Sequence, residues 1–149
     1  MPHAAKMPPH FPHNEIDDMA EISVPVSPGE LIDKLTILEI KSERMSDAAK
    51  LANVRLELQM LSELWSKSDF SRIDINAERA DLKRINAALW DIEDEIRDEE
   101  RHQRFGEQFI KLARAVYVTN DERAAVKRRI NDKLGSKIVE EKSYASYKS

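Results

Sequence analysis

Arg123 is the residue of this chain with the most chemistry at its disposal. It lies in FIKLARAVYVTNDERAAVKRRIN, and from Phe105 just before that run Phe109, Leu112, Val116, Thr119, Arg123, Val126 and Ile130 follow in steps of three and four. That spacing makes one inward helical stripe, so Thr119 and Arg123 occupy positions that face a core, with Asn120 and Asp121 beside them. A buried guanidinium without a partner costs several kcal/mol, so Arg123 must meet Asp91, Asp121, Glu78 or a carboxylate of the first helix. Thr36 and Glu39 share a face of that first helix, and Asn86 stands on the helix before Arg123. Thr36, Glu39, Asn86, Arg114, Asn120 and Arg123 therefore form the candidate binding set, a polar pocket between helices suited to a small anionic or sugar ligand. The same residues also suit a buried network that sets helix register, or a place where the bundle thins and Arg123 meets water.

Other candidate chemistry is thinner. Ser27-Pro28-Gly29-Glu30 starts a helix, with free N–H groups that attract anions and a glycine that admits a ligand to the backbone. Glu30 would repel phosphate there, so capping is the better reading. Glu99 and His102 match the Glu-x-x-His spacing of di-iron bundles, but such sites need two copies and two more glutamates. His3, His10 and His13 lack the cysteine or carboxylate companions of a structural metal site. No Ser-His-Asp or Cys-His set and no phosphate-cradling glycine loop is present, so no catalytic residue, metal or cofactor is assigned.

The elements that must position these residues are helices. Ser27 and Glu30 can form a capping box, Pro28 falls at the first helical position, and Val26 and Leu31 can staple the entry. The first helix is predicted from Pro28 to about Met45, with Leu31, Leu35, Leu38 and Met45 inward and Ile32, Ile37 and Ile40 widening the stripe. Asp47 caps a second helix from about Ala48 to Ser66. Its apolar residues form two stripes, Leu51, Val54, Leu58, Leu61 and Trp65 beside Leu56, Met60 and Leu64, which predicts contacts on two sides. A loop follows to Ile75.

The third helix is predicted over Asn76 to Arg101 and the fourth from Phe105 to Leu134, closed by Gly135. A turn centred near Gln103 makes them antiparallel and sets Asn86 near Asp121 and Trp90 near Tyr117. The acidic run from Asp91 to Glu100 should face Arg104, Lys111 and Arg114, which steers register more than it stabilises. The fold class is all-α, an antiparallel four-helix bundle built from a short helical hairpin followed by a long one. The long hairpin reaches past the short one and can offer its end to a second subunit.

Outside residues 22–135 lie two extensions. Residues 1–21, rich in proline and histidine and without periodicity, read as disordered, with Met7 and Met19 as alternative starts. Residues 136–149 carry Ile138, Val139, Tyr144 and Tyr147 among charges, enough apolar surface to dock on the bundle. Ile138 and Val139 could also pair with a short edge strand over Ile22 to Val26. A net charge of −4 argues against a nucleic-acid partner. No apolar run approaches a membrane span, and the absence of cysteine fits a reducing cytoplasm.

The runs VPVSPGELIDKLTILEIKSER, KLANVRLEL, NAALWDIEDEIR, FIKLARAVYVTNDERAAVKRRIN and GSKIVEEKSY together resemble a family of small bacterial proteins of unknown function. The resemblance covers Ile22 to about Tyr147 and implies a helical domain, sometimes encoded near or joined to glycosyltransferase and surface-polysaccharide genes. It carries no catalytic residues with it. LIDKLTILEIKSER is also faintly similar to a helix of the all-helical chorismate mutases, whose cationic pocket would here require Arg44, Arg55 and Arg123 to converge. The reading that follows is a non-catalytic helical interaction module, self-associating or binding a partner protein. Its alternative is a small-ligand binder or enzyme with a site between helices.

Overall fold

The computed structural model describes residues 20–148. Among these the chain is all-helical: α1 Pro28–Arg44, α2 Ala48–Lys67, a 3-10 turn Asp69–Arg72, α3 Asn76–Arg101 and α4 Glu107–Leu134. The expectations for the first 19 residues, including His3, His10 and His13, fall outside the described residues.

Local chemistry accounts for the ends. Ser27 Oγ accepts from the Glu30 N–H at 3.2 Å, with Pro28 in the first turn. The capping box is only half formed, because the Glu30 carboxylate turns away to Lys127 and Ser27 Oγ donates to Glu140 Oε1 at 2.9 Å. Val26 remains 41% exposed, so a staple would add little. Asp47 accepts from the Lys50 N–H at 2.9 Å and starts α2. Gly135 ends α4 at φ 67°, a left-handed conformation that glycine adopts without strain.

Helix α1 packs against all three other helices, whereas α2 rests chiefly on α1 and the 3-10 turn. This asymmetry explains their burial. Along α1, Leu31, Ile32, Leu35, Leu38 and Ile40 are all buried; along α2 only Val54 is. Ile32 and Leu35 join Leu82, Ile85, Val126 and Ile130 in one core, which Leu58, Leu61, Trp65 and Leu89 partly cover. Among the described residues the second apolar stripe of α2 is left largely uncovered: Leu56, Met60 and Leu64 are 60, 42 and 57% exposed.

Four sequence expectations change. Helix α4 begins at Glu107, leaving Phe105 outside it and half exposed. The α3–α4 pairs Asp81–Arg129 (3.0 Å) and Glu78–Lys133 (3.0 Å) are centred near residue 105 rather than Gln103. Asn86 and Trp90 thus lose the partners expected for them; Tyr117 stacks on Tyr147 instead, ring centroids 5.1 Å apart. Of the three cations expected along the acidic run, only Arg104 meets it, through Asp98 and Glu99. No strand forms over Ile22 to Val26, where Ile22 and Val24 are strongly exposed, or at Ile138 and Val139.

Candidate functional site

The polar layer centres on a residue of α1 absent from the candidate set. Asp33 is fully buried, and Arg123 of α4 approaches it with both edges of a fork, Nε to Oδ1 at 2.9 Å and Nη2 to Oδ2. Bidentate pairing of this kind suits the planar guanidinium. From α3, Asn86 Nδ2 donates to Asp33 Oδ1 and to Thr36 Oγ1, each at 2.9 Å. Thr36 Oγ1 in turn donates to the Asp33 carbonyl at 2.8 Å. Three helices are thereby joined through one carboxylate. The hydrogen bonds Arg123 donates to Asp33 raise its pKa above the ordinary value, outweighing the opposite effect of burial.

One turn toward the start of α1 a second cluster closes the end of the helix. Gly29 N–H donates to Asn131 Oδ1 at 2.7 Å. A side chain on Gly29 would stand 2.6 Å from the Lys127 carbonyl, so α4 occupies the space where a ligand could have reached the backbone. Lys127 lies between Glu30 and Glu140, the latter at 2.9 Å. Burial works to lower the Lys127 pKa, but bonds to the two glutamates prevail and raise it. Burial likewise pushes Glu140 up, and Lys127 and Ser27 hold it below the ordinary carboxylate range.

The structure brings together Thr36, Asn86 and Arg123 of the six candidates. Glu39 turns to Arg79 (2.6 Å) and Lys83 (3.3 Å) on α3. Arg114 is exposed farther along α4, in a shallow groove with Ile110, Lys111 and Val118. Asn120 borders a cleft of about 1060 Å³ between α4 and the C-terminal segment, which Arg123 also borders. Its charged side chains are paired, Lys127 with Glu30 and Glu140, Arg128 with Glu141 and Lys142 with Asp121, and Asp132 enters no ion pair among the described residues. Arg44, Arg55 and Arg123 take separate places: Arg44 pairs with Asp91 at 2.7 Å, Arg123 with Asp33, and Arg55 is exposed on α2. Glu99 pairs with Arg104, and His102 Nδ1 lies 2.9 Å from the Asp98 carbonyl.

Lys127, Asn131 and Glu140 were not among the sequence candidates, and Asp33 was covered only as a carboxylate of the first helix that Arg123 could meet. Asp33 carried one further signal, its place one turn before Thr36 on a helix with a wide apolar stripe. Glu140 carried none, since its partners come from the opposite end of the domain.

What the fold and the polar layer define is an all-helical protein whose buried charges are answered from within. The chain belongs to a family of unknown function (DUF6165), which matches residues 22–149. No curated protein and no solved structure matches it.

Proposed function

We propose that this protein is a non-catalytic helical interaction module, arranged as an antiparallel four-helix bundle. One observation carries this reading: Asp33, Thr36 and Asn86 are buried and bonded to one another, Asp33 also holds Arg123, the one member of the layer that borders the cleft, and large apolar side chains stay on the outside. A pocket built for a ligand would leave convergent polar groups open toward a cavity. The falling register of the α4 pairs with α1 (Asp33–Arg123, Glu30–Lys127) and with α3 supports the antiparallel arrangement. Leu56, Met60 and Leu64 lie four residues apart on α2, the spacing by which a helix offers a groove or helix of a partner its apolar side. A partner protein or a second copy is the ligand this surface suits, in the cytoplasm. The likeness to small bacterial proteins encoded near glycosyltransferases supports a place beside surface-polysaccharide enzymes. No helix among the described residues is long and apolar enough to cross a membrane.

A thermal-shift screen with nucleotide sugars, sugar phosphates and aromatic dicarboxylates is expected to give no saturable shift. A shift that disappears in a folded Arg123→Leu variant would replace this reading with the ligand-binding one. Replacing Leu56, Met60 and Leu64 by glutamine should change monomer stability by no more than about 0.5 kcal/mol per site, because each residue is at least 42% exposed.

A further inference from the structure

Among the described residues the distal end of the α3–α4 hairpin has no third helix against it. The last side-chain link from α1 to α3 is Arg44–Asp91, after which α3 runs ten residues farther, about 15 Å at 1.5 Å per residue. A two-helix ribbon buries one side of each helix only. Ile92, Ile96, Phe109 and Val116 accordingly stay partly exposed on inward-phase positions.

Two shallow grooves flank this end, one with an excess of acidic and the other with an excess of basic side chains. One, on α3 and the facing edge of α4, is lined by Asp94, Glu95, Asp98 and Glu99, with Arg97 and Arg101 held by Glu93 and Asp98. The other, along α4, is lined by Lys111 and Arg114 against Glu107, with Ile110 and Val118, which are 55 and 37% exposed. Arg104 takes up Asp98 and Glu99 within the chain. Asp94, Glu95, Lys111 and Arg114 enter no ion pair among the described residues. The acidic and basic groups share one end of one hairpin without meeting each other.

We infer that a second copy of this chain covers this end, with the acidic side of α3 in each protomer lying against the basic side of α4 in the other. Symmetry selects the geometry. A two-fold axis across the hairpin would set α3 on α3, acid against acid. An axis along the hairpin sets α3 over the partner's α4 at the same height, because the α3–α4 register is centred near residue 105. Residue 95 is then level with the partner's 115, which puts Asp94 and Glu95 within about one helical turn of the partner's Lys111 and Arg114. Ile110 and Val118 supply the apolar contact between them. This inference rests on the interaction-module reading and names its partner.

Sedimentation velocity of the full chain at about 0.15 M salt tests it, with two charge-reversal variants, Lys111→Glu/Arg114→Glu and Asp94→Lys/Glu95→Lys. All four positions are on the surface, and thermal melting verifies that each variant folds. The wild type should dimerise, and raising the salt to about 0.5 M should weaken it. Each variant alone should dimerise about a hundredfold less tightly, since its two interfaces bring like charges together. An equimolar mixture should regain a one-to-one dimer, since both of its interfaces then pair acid with base. A monomeric wild type overturns the inference. So do variants that dimerise unchanged; that result would move the contact to the stripe of α2 and leave the interaction module standing. A saturable ligand shift lost in Arg123→Leu would instead remove the module itself.

Discussion

Asp33 and Arg123 differ in what each can do when the other is lost. Asp33 is 1% exposed and cannot reach water, whereas the Arg123 side chain is 30% exposed and can swing toward the cleft beside it. Arg123→Leu should therefore cost about 3–5 kcal/mol, the usual consequence of an uncompensated buried charge. Asp33→Leu should cost less, and Asp33→Leu/Arg123→Leu should recover part of the loss of the arginine variant. Urea denaturation of the three checks the order; equal costs for both single variants would contradict the asymmetry. Gly29→Ala offers a second test. Helix propensity alone favours alanine by about 1 kcal/mol. The Lys127 carbonyl 2.6 Å from the new methyl reverses the sign, and the variant should lose about 1–3 kcal/mol as α1 is pushed off α4.

At the scale of elements, the C-terminal segment is fastened by charge rather than by regular structure. Glu140 bonds Ser27 and Lys127, Lys142 pairs with Asp121 at 3.0 Å, and Tyr147 stacks on Tyr117. Hydrogen bonding to Lys142 lowers the Asp121 pKa, and Glu140 is lowered on balance as described above. A carboxylate with a depressed folded pKa contributes stability above its unfolded value and loses it as pH falls through the folded one. The segment should thus stay docked at neutral pH and begin to detach below the unfolded reference values, 4.5 for Glu140 and 3.8 for Asp121. Hydrogen exchange and limited proteolysis of residues 136–148 between pH 6 and 3 follow this directly. Release that is complete already at pH 6 would show that these carboxylates do not hold it. Deleting residues 144–149 removes the tyrosine stack and should cost about 1 kcal/mol. Deletion from residue 137 onward also takes Glu140 from Lys127 and should cost more.

For the whole molecule, packing is graded from one end to the other. Helix α1 is surrounded, α2 is covered on one side, and the hairpin beyond Asp91 has two helices where the rest has more. Amide protection should follow the same gradient, since regions with few buried apolar contacts open first. Exchange is expected slowest over Ile32 to Ile40, Leu82 to Asn86 and Val126 to Ile130, and fastest in the helices toward the turn at 102–106. Mass-spectrometric exchange on the monomeric Lys111→Glu/Arg114→Glu variant measures it without interference from association. Uniform protection along α3 and α4 would contradict a two-helix end.

The sequence by itself determined the four helices, nearly to the residue, because caps, proline, glycine and apolar periodicity act over a few neighbouring residues. Asn76 to Arg101 is read correctly at both ends, and Leu134-Gly135 closes α4 as its left-handed glycine requires. It also showed that Arg123 had to find a carboxylate, since burial of a lone guanidinium is costly whatever surrounds it. Which carboxylate was decided only by tertiary structure. Asp33 is 90 residues away, and a displacement of about two residues in the α3–α4 turn replaced the neighbours expected for Asn86 and Trp90. The separation of Arg114, Asn120 and Glu39 from the polar layer has the same origin. Helical phase places a side chain on a face, but the offset and crossing of whole helices select what that face meets, and those are set by the packed core as a unit.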